Sequence, residues 1–305
     1  AGAITGATLA VSGTMALVQA LRHRHAPLLS MALGGLVAVG STVGLSLGVS
    51  GLLTLLVVVM AVAFLLPRLL ARLPTSFDGL ARRHKLLFAC YVLLALAALV
   101  KTAQLSVFMG DSTRVDQQTI PSEKFIATHS CLTAYVHADS LSRKHVENLY
   151  ADRYWLGSHG FPPAPAGFES PYRPFLLDYY AYPPPFLLLM TPLAAFSGDF
   201  AAQRALWFGL NGILLAVALW IVARWLDGPG AHRVLLMAPL FFGTLPILVT
   251  LQVGNFQIAV VMMTVLAMVA FHQERPVIGG ALLAFAILAK VSPGVFGIVL
   301  LAQRR

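Results

Sequence analysis

The stretch LLFACYVLLALAALVKTAQLSVFM, residues 86–109, carries one charge, Lys101, and runs straight into the polar GDSTRVDQQTI at residues 110–120. Roughly 20 apolar residues in helical form cross the ~30 Å of bilayer hydrocarbon, so residues 86–109 read as a transmembrane helix. The polar residues that follow open the one long interruption in an otherwise apolar chain, residues 110–182, rich in acidic, His, Tyr and Pro residues. A chain that leaves the apolar phase once for so long is expected to keep its chemistry there.

Upstream of residue 86, further apolar runs lie at residues 3–21, 28–47 and 51–66. Downstream of the interruption lie 183–196, 205–223, 234–250, 255–271 and 277–302, several of them short or broken by proline. The whole chain of 305 residues is 58% hydrophobic and 11% charged, and its mean hydropathy is +0.79. That composition belongs to a polytopic membrane protein, and lipid offers backbone groups no partner, so the spans must be helical. The expected fold is all-α: a transmembrane helix bundle with one long extracytoplasmic loop containing amphipathic helices. Its three parts are N-terminal transmembrane helices at 1–109, the loop at 110–182, and transmembrane and re-entrant helices at 183–305.

The formal net charge of +9 does not point to nucleic acid, because the basic residues flank apolar runs instead of forming one patch. Arg22 and Arg24, then Arg68, Arg72, Arg82, Arg83 and Lys85, fall in alternate connections, while the connection near Ser50 is uncharged. By the positive-inside rule these basic ends face the cytoplasm and residues 110–182 face outward. A full crossing at 183–196 would put Arg224, Arg233 and Arg275 outside, against the rule; a re-entrant or partial helix starting at Pro183, Pro184 and Pro185 keeps them inside. The last run has basic ends on both sides and Lys290 three residues before Pro293, the pattern of two half-helices with a lysine at the break. Lys101 is expected to snorkel to the nearer, outer boundary.

Within the loop, residues 122–150 read as one amphipathic helix or a pair, with Phe125, His129, Leu132, Tyr135 and Val136 recurring at three- and four-residue intervals. The proline-rich residues 157–174 argue against regular structure. Asp178 among Tyr179, Tyr180 and Tyr182 resembles a sugar-binding environment beside an aromatic membrane anchor. Gln252, Asn255 and Gln257 around Gly254 form a polar turn able to read hydroxyls or phosphate oxygens. His129, His137, His145 and His159 lack a ligand spacing with carboxylates, so no metal site is assigned. The two cysteines, Cys90 in a span and Cys131 in the loop, make no disulfide framework. With no initiator Met and an end at Arg304 and Arg305 directly after an apolar run, a processed or incomplete chain is expected.

Five pieces in order carry a family resemblance: AYVHADSL with NLYADRY, then YPPPFLLLMTPLAAF, LQVGNFQIAVVMM and LAKVSPGVFGIVLL. They resemble the polyprenol-phosphate-sugar-dependent glycosyltransferases of the GT-C class, specifically glycosyltransferase family 87, whose members include mannosyltransferases. The resemblance covers residues 122–305. It implies a membrane-embedded, inverting hexosyltransferase of the cell envelope, in the bacterial inner membrane with its active face outward. The donor would be a polyprenyl-phosphate-sugar, the acceptor a lipid or glycan hydroxyl, with no further cofactor and with membrane lipids, or a membrane-complex partner, as company.

In that family an Asp stands four residues before the Tyr matched by Tyr135, and here the position is Cys131. Three groups are candidates for the missing base: Asp111, ranked first as a carboxylate at a helix end, Asp116, and His129, which titrates near neutrality. Lys290 is expected to meet the lipid phosphate, Gln252 and Asn255 to orient sugar or phosphate, and Tyr135, Asp178 and Tyr182 to bind sugar or acceptor. Two other classes compete: a non-catalytic membrane subunit, which the Cys131 replacement favours, and a transporter, which should show a repeat between halves that this chain lacks.

Overall fold

The computed structural model describes residues 76–158, 170–290 and 293–302. The expected spans at 3–21, 28–47 and 51–66 and most of the proline-rich stretch lie outside the described residues. Residues 76–291 form one compact unit; residues 292–305 belong to a second, of which α11 (Gly294–Ala302) is described. Among the described residues every regular element is helical.

The first unit opens with α1 (Phe77–Arg83), capped by the Ser76 hydroxyl, and α2 (Lys85–Gly110). At 26 residues α2 is about 39 Å long. It and α6 (Phe200–Leu226) are the two described helices long and apolar enough to cross a membrane. Leu93, Leu94, Leu96, Leu99 and Val100 on α2 are exposed, as a lipid-facing surface requires. The membrane protein expected from composition therefore stands.

The run at 234–250, one of the short or interrupted downstream runs, is broken. It is two helices, α7 (Gly228–Phe242) and α8 (Leu245–Val253), bent by 62° at Gly243–Thr244. Pro246 opens α8, where its missing amide costs nothing, and a Cβ on Gly243 would come within 2.4 Å of the Ala98 Cβ on α2. The bend lets α7 pack on α2 while α8 turns away toward the polar loop. At 255–271 and 277–302 the helices are also shorter than a full crossing: α9 (Gln257–His272) and α10 (Pro276–Ala289) are about 24 Å and 21 Å long. The three residues between them make α9 and α10 a helical hairpin.

Residues 183–196 form a single 3-10 turn at Pro184–Phe186 and then α5 (Leu187–Phe196), too short to cross, as the partial-helix reading requires. The polar segment holds α3 (Lys124–Thr128) and α4 (Leu132–Arg143), the pair of helices expected there. α4 does not lie free on a membrane surface: Leu132, Ala134, Tyr135, Val136, Ala138 and Leu141 are all buried. They join Phe186, Met190, Trp207, Phe256 and Ala286 in one core under the polar segment. Asp139, 1% exposed, fastens α4 to α5, its Oδ1 accepting from the Thr191 hydroxyl at 2.7 Å and its Oδ2 lying 2.9 Å from Arg143.

Candidate functional site

Three backbone devices bring distant residues to one place. Cys131 begins α4, and its amide donates to the Val253 carbonyl at 2.8 Å, tying this helix end to the turn after α8. Gly254 makes that turn at φ 68°, a left-handed conformation that costs other residues about 1–2 kcal/mol. Its carbonyl accepts from Trp207 Nε1 at 2.8 Å, and a Cβ there would sit 3.2 Å from the Trp207 ring. Residues 176–178 run beside the start of α4: the Leu176 amide donates to Thr128, and the Asp178 amide to the Thr133 hydroxyl at 3.0 Å. Asp178 is thereby set opposite His129.

The side chains so gathered are His129, Cys131, Asp178, Asn255, Tyr135, Tyr182 and Lys290. His129 Nδ1 lies 3.4 Å from Asp178 Oδ1, both side chains mostly buried at 17% and 16% exposure. The imidazole stacks on Phe125 at 4.7 Å, and its Nε2 faces Cys131 Sγ at 3.7 Å. Asn255 Nδ2 reaches the same sulfur at 3.5 Å while its Oδ1 accepts from the Gln257 amide. Burial, and then the Asp178 charge, push the Cys131 thiol up to about 12, with the Lys290 charge and the Asn255 bond pulling weakly the other way. Cys131 is therefore a neutral thiol across the physiological range.

Lys290 is the extended residue at which α10 ends, its amide closing on Ala286, before Pro293. Its Nζ lies 5.4 Å from the centre of the Tyr182 ring, a cation–π approach. The Tyr182 hydroxyl meets that of Tyr135 at 3.1 Å, and the Phe256 amide approaches the Tyr135 oxygen at 3.4 Å. Tyr182 also stacks on Phe186 at 4.5 Å, so the cation sits against a wall of rings. Burial holds the Tyr135 hydroxyl protonated, far above its usual range.

Other expected residues go elsewhere. Asp111 caps the end of α2 on the surface, its carboxylate accepting from the Thr113 amide and hydroxyl, which lower its pKa. Asp116 is exposed too, bound to Gln117 and 3.7 Å from Arg114. The bonds these two carboxylates make are local, to Thr113, Gln117 and Arg114, and none is to a residue of the cluster. Gln252 is 1% exposed and fully engaged: Oε1 accepts from the Thr119 amide at 2.7 Å, and Nε2 donates to the Ile126 carbonyl at 2.8 Å and to Gln118. It clasps the loop to α8 instead of facing a ligand. Lys101 donates to the Gln118 carbonyl, in the segment that follows α2, at 2.9 Å.

The sequence showed no ligand spacing, yet the fold puts donor atoms of His129, Cys131 and Asp178 within 4.8 Å of one another. Each ring nitrogen of His129 faces a different partner, Asp178 on one side and Cys131 on the other. That disposition suits a proton acceptor held by a carboxylate better than a shared metal ligand. Linear spacing could not reveal it, because Asp178 arrives from a separate stretch.

The fold thus sets a carboxylate–imidazole pair, a lysine and an aromatic wall side by side in a helical, apolar protein. Residues 180–305 match the family model of glycosyltransferase family 87. The match takes in Tyr182, Asn255 and Lys290 and begins just after Asp178, leaving His129, Cys131 and Tyr135 outside it. No curated protein and no solved structure matches the chain.

Proposed function

We propose that the protein transfers a hexose, such as mannose, from a polyprenyl-phosphate-sugar to a hydroxyl of a lipid or glycan acceptor, with inversion, on the extracytoplasmic face of the bacterial inner membrane. The observation that carries this reading is the meeting of Lys290 with the His129–Asp178 pair across Cys131 and Tyr182. A hydroxyl is a weak nucleophile until a base takes its proton, and a phosphate leaving group gathers charge as the glycosidic bond lengthens.

His129 accepts the acceptor's proton while Asp178, facing Nδ1, orients the ring and stabilises the imidazolium. The acceptor oxygen forms its bond to the anomeric carbon as the bond from that carbon to the phosphate oxygen breaks. Lys290 neutralises the departing polyprenyl phosphate, and Tyr135, Tyr182 and Asn255 line the sugar's place. The carboxylate that the family carries at the position of Cys131 is replaced by one from the other side of the same site, Asp178.

The test is transfer of labelled sugar from synthetic polyprenyl-phosphate-mannose by the purified chain. Loss of one general base costs about 10²–10⁴-fold, so His129→Ala, Asp178→Asn and Lys290→Ala should each fall by at least about a hundredfold, whereas Asp111→Asn should stay near wild type. Full activity in His129→Ala with loss in Asp111→Asn would return the base to the end of α2. No transfer by a folded wild-type protein with several donors would favour a non-catalytic subunit bound to a membrane partner.

A further inference from the structure

A cleft of about 470 Å³ forms where the C-terminal half of α4, the turn at residues 171–175 and the first turn of α6 meet. Its lining includes Arg143, Tyr172, Arg173, Asp199, Gln203 and Arg204. None of the residues assigned to transfer lines it, so the two sites stand or fall separately.

Arg204 is the unusual member. It is 1% exposed, and its guanidinium lies over the rings of Phe175 at 4.0 Å and Phe108 at 5.1 Å. Nη2 donates only to the Met109 sulfur at 3.5 Å, a weak acceptor, and Nε and Nη1 have no hydrogen-bond partner among the described residues. Arginine stays charged in proteins, and a buried cation is normally matched by a carboxylate or another strong acceptor. The carboxylate in the lining is committed: Asp199 caps α6 through the Ala201 and Ala202 amides. Three arginines against one aspartate leave the lining positive, beside the N-terminus of a 27-residue helix.

The place in the fold supplies the rest. Met109 lies in the last turn of one membrane-length helix and Arg204 near the start of the other, so the cleft lies where apolar helices give way to polar segments, the place along a span where lipid headgroups are expected. Its volume falls in the range of about 300–1,000 Å³ that holds a small organic group, more than a bare ion needs.

We propose that this cleft binds the phosphate of an anionic membrane lipid, with Arg204 as the buried anchor and Arg173 and Arg143 at the rim. The guanidinium then gains, from phosphate oxygens, the acceptors the protein withholds.

The test is thermal unfolding of the purified chain in a phosphate-free detergent, titrated with dioleoylphosphatidylglycerol, with dioleoylglycerol, or with inorganic phosphate. Phosphatidylglycerol should raise the midpoint saturably and dioleoylglycerol should not. Arg204→Met should abolish the rise without lowering the lipid-free midpoint, because it removes an unmatched buried charge. Arg173→Gln, at an exposed position, should weaken binding about tenfold and decides the matter if Arg204→Met does not fold. An equal rise with dioleoylglycerol, or a rise untouched by both substitutions, would overturn the site. A full rise with inorganic phosphate alone would overturn the lipid assignment in favour of a soluble anion.

Discussion

Cys131 sits where a reactive thiol would be conspicuous, between an imidazole, a carboxylate and a lysine. Its burial decides the outcome, because the thiolate would have to form in a desolvated place beside Asp178. With the thiol raised to about 12, roughly one in ten thousand molecules is ionised at about pH 8. In a Cys90→Ala background the native protein should therefore resist a maleimide at that pH and react once unfolded. Rapid native labelling would mean that Cys131 is activated and that its neighbours act on sulfur. The sign for stability follows: the raised thiol contributes fully below the ordinary value near 9, and the contribution is lost as pH climbs toward 12.

Elements meet here through single buried polar residues more than through broad faces. Gln252 on α8 holds the loop at both Thr119 and Ile126, groups more than 120 residues away in sequence. Replacing it with Leu leaves a buried amide and a carbonyl unpaired, each costing about 1–3 kcal/mol. Gln252→Leu should lower the unfolding midpoint markedly and reduce transfer only in proportion to the folded fraction. A raised KM with an unchanged midpoint would show instead that Gln252 reads the substrate, the role its sequence context suggested. Amide side chains in a Gly-Asn turn look alike whether they serve ligand or loop. Only the position of residues 118–126 against α8 separates the two.

On the scale of the whole unit, the polar segment is held by its own aromatic and histidine packing. His137 bonds the Tyr154 carbonyl at 3.1 Å, meets the Tyr172 hydroxyl at 3.3 Å and lies edge-on to Trp155. Burial lowers its pKa, reinforced by the Lys144 charge and opposed by the Tyr154 bond. A depressed histidine contributes stability above its ordinary value near 6.5 and loses it as pH falls through the folded value. The unfolding midpoint should drop between about pH 7.5 and about pH 5, and His137→Asn should shrink that drop. An identical drop in the variant would place the acid sensitivity in the carboxylates.

Composition alone determined that the chain lives in lipid and is helical, since a backbone without water must satisfy itself within each segment. Local chemistry carried further: Pro293 after Lys290 announced the break that ends α10, and Pro183–Pro185 announced a short α5. Tertiary structure decided which of these residues meet. Asp178 joins His129 because Thr133 receives its amide, while Asp111, equally acidic and better placed in sequence beside a helix end, remains on the surface. The unmatched cation of Arg204 had no signature at all, for an arginine at the start of a span reads as an interface anchor. Periodicity and composition report which phase a residue prefers, whereas a site is a set of distances between segments remote in sequence, and those are set when helices pack.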